Sequence, residues 1–598
     1  MKHGPVIPAA SAAHRAERTR PALFGGGDDG AVPAHDRRAL LIERRHRLFE
    51  LAQGRIVVLI IAFVTAFALV AVKMATIPLQ ADEEGAGDGR GEVLVASRSE
   101  ITDRKGRILA TNILTNALYV QPRKLLEPER VARELAAIFP DLDAGRLARR
   151  FASGTRFIWL RRRLSPAQQQ AVLDIGDPGL QFAPREMRFY PNGAVAAHVL
   201  GGAGFGREGV RAAEIVGLAG VEKALDGMLS DPARRGAPVV LSLDLGVQAE
   251  VERLLADAMA LYGAKGAGAV VMDAATGEIL ALASLPDFDP NDRASAARAA
   301  LEARPGEGPT FDRPVQGLYE LGSVFKPFVA AEALEEGIAT PDTLIDTRGP
   351  LKWGRFTIRD FHDYGPRLTL TDVIVRSSNI GAARLAQKIG PQRQRAFLAR
   401  LGLLEPLSVE LPEARGVKPL LPARWSELSA MTIAYGHGIS VTQLHLAAAY
   451  ATIANGGRKV VPTLLRRRSR PPGPRAMSAE TARAVRTMLR KVVTRGTARM
   501  ADVPGWPVAG KTGTADKPKP GGGYEEGKTL ATFAGFFPAD DPRYVIVVTL
   551  DEPSIEAAGE ARRSAGWTAA PTAGAIVERI APLLGLWPSS PEMSPAAE

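Results

Sequence analysis

The first strong signal in the hydropathy pattern is Ile56–Val72, IVVLIIAFVTAFALVAV, 17 residues in which Thr65 is the only polar group. A helix of this sequence is apolar on every face, unlike a helix covering a globular core. At 1.5 Å per residue it reaches about 25 Å, near the lower limit for crossing a bilayer. Arg55 and Lys73 flank it and Met74–Leu79 can extend it, so the pattern predicts a single membrane-spanning helix over 56–74. A cleaved signal peptide is disfavoured, because 55 residues precede the run and no small-x-small site follows closely.

Past this segment the pattern is that of folded protein. Val93–Val120 reads as short strand-like runs broken by the turn Asp103-Arg104-Lys105-Gly106, and Leu125–Phe151 carries helical spacing with many arginines. Arg161, Arg162 and Arg163 read as a solvated face, and Tyr190-Pro191-Asn192-Gly193 as a turn. Gly246–Leu261 predicts an amphipathic helix. Gly268–Ala283 reads as a hairpin around Ala274-Ala275-Thr276-Gly277. A long helical middle follows, and Thr529–Phe537 with Arg543–Leu550 forms a second hairpin near the end. Two hairpins around a helical middle predict one α+β domain whose sheet joins both ends of the region. The basic stretch Arg466–Arg475 reads as an exposed loop between helices.

Composition changes the picture in two places. There are 0 cysteines among 598 residues, which excludes a disulfide scaffold, thiolate zinc and a cysteine nucleophile, and suits an oxidising compartment. The net charge of +11 rests on 76 Lys and Arg, of which 60 are Arg, beside 60 Gly and 44 Pro. That mix reads as compositional bias rather than as a nucleic-acid footprint. Its distribution is informative: Arg37, Arg38, Arg44, Arg45, Arg47 and Arg55 precede the apolar run, while Asp82, Glu83, Glu84 and Asp88 follow it. The positive-inside rule then puts the N-terminus in the cytoplasm and the bulk of the chain across the membrane, away from nucleic acid.

Three short patterns carry candidate chemistry, in the order Ser323-Val324-Phe325-Lys326, Ser377-Ser378-Asn379 and Lys511-Thr512-Gly513-Thr514. At average composition the first pattern alone arises by chance on the order of once or twice in such a chain, but the ordered trio does not. Residues i and i+3 of a helix share a face, so Ser323 Oγ and Lys326 Nζ can meet. A serine hydroxyl needs an adjacent base, and a lysine serves as one only when burial and a second cation lower its pKa. Lys511 is a candidate for that cation. The helix N-terminus adds partial positive charge where an oxyanion forms.

This constellation resembles the penicillin-binding proteins and serine β-lactamases. The likeness extends upstream: Arg98–Ala110, Arg188-Phe189-Tyr190-Pro191, Ala197-His198 through Gly201, and Gly217–Glu222 resemble boxes of the class B pedestal (dimerisation) domain. Ala434-Tyr435-Gly436-His437-Gly438 with Val441–Leu444 resembles the turn and helix ahead of the Lys-Thr-Gly motif. With the short tail and single anchor, the chain is most similar to the cell-division (septal) peptidoglycan D,D-transpeptidases. Leu321 and Gln443 stand where that family often has Pro.

The resemblance implies a cytoplasmic tail over 1–55, the span over 56–74, a linker over 75–91, a pedestal over 92–235, a transpeptidase domain over 236–586 with an antiparallel sheet between helices, and a flexible tail over 587–598. It implies Ser323 as nucleophile towards the bond between two terminal D-alanines of a stem peptide, and Lys326 as its base. Ser377 would relay a proton to the departing D-alanine, and Asn379 would hold Lys326 and the substrate amide. Lys511, Thr512, Gly513 and Thr514 would bind the terminal carboxylate, with the N–H groups of Ser323 and Thr514 as oxyanion hole. No cofactor or metal is implied. The implied partners are stem peptides on the lipid-linked precursor polymer, β-lactams, the inner membrane, a separate membrane glycan polymerase and other division proteins. An elongation-type transpeptidase, a β-lactamase or β-lactam sensor, and a division scaffold are the competing readings. His198 reads as a packing residue, and the 8 scattered histidines do not form a zinc set.

Overall fold

The computed structural model describes residues 61–68, 98–161, 163–205, 215–234, 236–466, 473–519 and 523–589. The chain divides into a unit of residues 1–94 and a unit of residues 95–598. In the first, residues 61–68 are helical with exposed side chains, inside the expected span. The rest of that span, the 1–55 tail and the 75–91 linker lie outside the described residues. Among the described residues no helix is long and apolar enough to cross a membrane.

Two sheets organise the second unit. One is built on β1 (Ile108–Val120) and β2 (Leu180–Phe189), antiparallel from Thr111 opposite Phe189 to Val120 opposite Leu180. Ile158–Arg161 pairs with the far end of β1. Ile101–Thr102 pairs with its near end and, in parallel, with Val239–Val240. Leu118, Val120 and Ile158 pack under Val131, Leu135, Leu147 and Phe151. The helical stretch Leu125–Phe151 is thus two helices, Pro128–Ile138 and Ala144–Ala152, the second capped by Asp143, which accepts the Arg146 N–H at 2.6 Å. The arginine run is less solvated than its charge implies: Arg161 pairs with Asp141 and lies 4.6 Å from the Phe139 ring centre. Arg163 is exposed, and Arg162 lies outside the described residues.

The upstream sequence boxes meet in one buried ion cluster. Glu222, fully buried, accepts Arg98 Nε at 2.8 Å through one carboxylate oxygen and Arg188 Nε at 2.6 Å through the other. Tyr190 also points its hydroxyl at Glu222, at 3.3 Å, and Arg98 reaches Asp226 at 2.7 Å. A buried charge is tolerable only when paired this completely. The Asp103–Arg107 turn does a second job. Asp103 accepts N–H groups from Lys105, Arg107 and Leu245, and Arg107 and Lys105 both pair with Asp244. Asp244 caps α1 (Leu245–Tyr262), so this turn fixes the start of the next domain's first helix.

The second sheet has five antiparallel strands: β3 (Gly266–Asp273), β4 (Ile279–Leu285), β5 (Ala509–Pro518), β6 (Tyr524–Phe537) and β7 (Tyr544–Asp551), in the spatial order β5-β6-β7-β3-β4. Both expected hairpins are present, and the pairing of β7 with β3 joins the two ends of the region as the pattern predicts. Four helices of the middle matter below: α2 (Lys326–Glu335), α3 (Asn379–Ile389), α4 (Gln443–Ala454) and α5 (Ala479–Arg495); α6 (Ala569–Leu583) closes the fold. Val251 and Leu255 of α1 and Ile576 of α6 pack on Val271, Ile546 and Val548. Leu444 and Tyr450 of α4 pack on the opposite face, with Val270, Val545 and Val547. Both faces are therefore covered, which is why these strands read as continuous apolar runs rather than as alternation.

The flanks of the basic loop are tied down, Arg466 to the Arg104 carbonyl at 2.6 Å and Arg475 to the Gly456 carbonyl at 2.9 Å. Residues 467–472 between them lie outside the described residues. His198 is buried with its ring 5.3 Å from that of Phe288, and burial lowers its pKa to about 4. It is a neutral packing residue, as the sequence implied.

Candidate active site

Ser323 sits on a short 3-10 turn, Gly322–Phe325, that leads directly into α2. The sequence predicted an ordinary helix start; the tighter turn does the same work better, because side chains three apart eclipse on a 3-10 helix. The turn is held from beneath. Phe325 and Phe328 stack edge to face at 5.4 Å, Phe328 meets Tyr450 at 5.7 Å, and the Tyr450 hydroxyl donates to the Val324 carbonyl at 2.9 Å.

Lys326 is fully buried, and its Nζ lies 2.9 Å from Ser323 Oγ, 2.7 Å from Asn379 Oδ1, 2.6 Å from the Ser377 carbonyl and 3.0 Å from Ser377 Oγ. Burial first, and the neighbouring Lys511 charge second, push its pKa well below the usual lysine value. As a free amine it donates to Asn379 and Ser377 and keeps one lone pair, which accepts the Ser323 O–H.

Ser377 and Asn379 arrive from a strained corner. Ser377 has φ 65, the left-handed region that non-glycine residues rarely adopt, and such strain costs about 1–3 kcal/mol. The corner separates the helix Leu370–Val375 from α3, which Ser378 caps by accepting the Gly381 N–H at 2.9 Å. It is over-determined by Asp360. One carboxylate oxygen accepts the N–H of Asn379 at 2.5 Å and of Ile380 at 3.0 Å, and the other accepts the Ser378 hydroxyl at 2.6 Å. Asp360 escaped the sequence reading because it stands 18 residues ahead of Ser378 in an irregular segment, with no spacing that marks it. Asn379 Nδ2 donates to the Arg359 carbonyl at 3.0 Å, so one of its two protons is left for a ligand.

Lys511 comes from β5, the edge strand of the sheet. Its fully buried Nζ donates to Ser377 Oγ at 2.9 Å and to the Thr512 carbonyl at 3.0 Å, and burial lowers its pKa to about 7. Thr512 and Thr514 alternate with it along the strand and point to the other side. Thr512 Oγ1 is 2.6 Å from Thr497 Oγ1, and Thr514 Oγ1 accepts the Ala565 N–H at 3.0 Å, which leaves the Thr514 hydroxyl proton free to donate. Gly513 lets β5 press against the nucleophile's turn: a Cβ there would lie 2.2 Å from the Leu321 carbonyl oxygen. The structure thus gathers Ser323, Lys326, Ser377, Asn379 and Lys511 into one hydrogen-bonded cluster, with Thr512 and Thr514 on the strand that borders it.

Among known protein families, the profile of the penicillin-binding protein transpeptidase domain matches residues 267–578, and that of the penicillin-binding protein dimerisation domain matches residues 93–234. The chain belongs to the class B penicillin-binding proteins. This penicillin-binding protein is 36% identical over 522 residues to the probable peptidoglycan D,D-transpeptidase FtsI of Caulobacter vibrioides, covering 84% of each chain. It is 29% identical to the peptidoglycan D,D-transpeptidase FtsI of Escherichia coli, over 84% of its own length and 86% of the relative's. Among solved structures it is similar to penicillin-binding protein 3 of Mycobacterium tuberculosis complexed with aztreonam, with TM-score 0.63 and 30% identity, over 84% of this chain and 99% of that one.

Proposed function

We propose that this penicillin-binding protein is a peptidoglycan D,D-transpeptidase of septal wall synthesis, anchored in the inner membrane with its catalytic domain outside the cytoplasm. The observation that carries the reading is the contact with Ser323 Oγ of a fully buried Lys326, whose pKa burial and the neighbouring Lys511 charge push down, beside a second buried lysine.

Lys326 takes the Ser323 proton as Oγ attacks the carbonyl between the terminal D-alanines of a donor stem. The donor lies as an added strand along the open edge of β5, where main-chain groups are available for pairing. Thr512, Gly513 and Thr514 border the terminal carboxylate, with the Thr514 hydroxyl donating to it and Lys511 supplying positive charge. The N–H groups of Ser323 and Thr514 hold the oxyanion. Ser377, in contact with both lysines, relays the proton to the departing D-alanine. A second stem's amine then attacks the acyl-enzyme, forming the cross-link and freeing Ser323. β-Lactams acylate the same serine.

The proposed organisation is a cytoplasmic tail (1–55), span (56–74), linker (75–91), pedestal (92–235), transpeptidase domain (236–586) and a tail (587–598). Glycan polymerisation falls to a separate membrane protein. The test supplies the full-length protein with uncross-linked polymer bearing pentapeptide stems. Cross-linked dimers with stoichiometric D-alanine release support the reading, and their absence overturns it. A fluorescent fusion tests the septal assignment, which uniform lateral signal without midcell enrichment defeats.

A further inference from the structure

The turn Tyr435-Gly436-His437-Gly438 packs against Gly322, the residue before the nucleophile. Gly436 accepts the Gly322 N–H through its carbonyl at 3.2 Å, and a Cβ on Gly436 would lie 1.9 Å from the Gly322 carbonyl oxygen. His437 is therefore held one residue from a contact with the residue preceding Ser323. The turn is locked further by Glu320. One oxygen of its carboxylate accepts the Gly438 N–H at 2.7 Å, and the other accepts the Tyr524 hydroxyl at 2.9 Å.

The His437 ring lies between two phenols, 5.3 Å from the Tyr435 ring centre and 6.1 Å from that of Tyr524. Nδ1 of the ring is buried without a hydrogen-bond partner, and the ring also meets the Tyr435 backbone. The charged groups that face the ring are Glu320, Lys326 and Asp516, and the phenols are Tyr435 and Tyr524. Burial lowers the imidazole pKa, so the ring is neutral near pH 7 and keeps a lone pair. Lys326 is already committed to Ser323, Ser377 and Asn379. The second half of the reaction needs another acceptor, because an amine arrives as an ammonium and must lose a proton before its nitrogen can attack.

We propose that Glu320 and His437 form the subsite for the acceptor amine, with the Glu320 carboxylate drawing in the ammonium group and the His437 imidazole accepting its proton. The freed nitrogen lone pair attacks the ester carbonyl of the acyl-enzyme, forming the C–N bond. As the tetrahedral intermediate collapses, the nitrogen's second proton passes to the free amine of Lys326 and from it to Ser323 Oγ as the C–Oγ bond breaks. The proton on His437 passes to water. This assignment rests on the D,D-transpeptidase reading and specifies where its acceptor binds.

The test separates the two half-reactions in the full-length protein. A small thioester donor acylates Ser323, and D-alanine added in excess serves as the amine. The ratio of aminolysis to hydrolysis product then reads the acceptor step, while fluorescent-penicillin labelling reads acylation. In H437Q the aminolysis-to-hydrolysis ratio falls by about 10²-fold at pH 7, within the usual range for loss of a general base. The deficit shrinks as pH rises and free amine accumulates. E320Q, which retains an acceptor oxygen for Gly438, weakens the acceptor's apparent affinity with little change at saturating amine. A wild-type ratio in H437Q overturns the proposal, as does a deficit that is independent of pH or matched by an equal loss of acylation. If no variant or wild-type protein labels with penicillin, the transpeptidase reading fails instead.

Discussion

Replacing Lys511 by Gln isolates the electrostatic part of nucleophile activation. The Nζ atoms of Lys326 and Lys511 contact the same Ser377 Oγ at 3.0 and 2.9 Å, so they are no more than about 6 Å apart. Two unit charges at about 6 Å, at an effective dielectric constant of about 20, repel by about 3 kcal/mol, equivalent to a factor of about 10² in a proton-binding constant. Lys326 acts as base only when deprotonated, so the acylation rate rises with pH through its pKa. Lys511 holds that pKa down, and removing its charge raises it. The acid limb of the second-order acylation rate, measured with a fluorescent penicillin across pH, therefore moves upward by about two pH units in Lys511→Gln. Below both limbs the variant is about a hundredfold slower from this cause. Lys511→Arg, which keeps the charge, leaves the limb near its wild-type position. A limb that stays in place in Lys511→Gln, or moves to lower pH, refutes the coupling of the two lysines.

Two further substitutions test the supports of the site and of the fold. Asp360→Asn removes one acceptor oxygen and the negative charge at the start of α3, so acylation slows by about 10- to 100-fold with the circular dichroism spectrum unchanged; a rate within twofold of wild type contradicts the role given to Asp360. Glu222→Gln leaves buried Arg98 and Arg188 without full compensation, a loss of about 3–5 kcal/mol, and lowers the melting temperature by about 5 °C or more; an unchanged melting temperature contradicts the ion-cluster account.

The sequence carried the chemistry further than it carried the architecture around it. Ser323, Lys326, Ser377, Asn379 and Lys511 were all legible, because the spacing of three ordered motifs records which side chains must converge. The two hairpins were legible as well, since Gly268–Ala283 and Thr529–Leu550 have turns flanked by strand-like runs. Asp360 was not, because what defines it is a set of hydrogen bonds to backbone N–H groups across an irregular stretch. Neither was the left-handed φ of Ser377, which nothing in a Ser-Ser-Asn triplet reveals and which only a rigid surround can impose. The pedestal boxes were visible as separate fragments, but their common cause was not. Arg98, Arg188, Tyr190 and Glu222 are far apart in the chain and share one buried cluster.

The central claim is that Ser323 is acylated with Lys326 as its base. Intact-protein mass spectrometry of the full-length chain after exposure to a β-lactam, followed by peptide mapping, tests it most directly. The account predicts one adduct per chain on the peptide containing Ser323, no adduct in Ser323→Ala, and a rate lowered by several orders of magnitude in Lys326→Met. An adduct on another residue, or one that persists in Ser323→Ala, contradicts it.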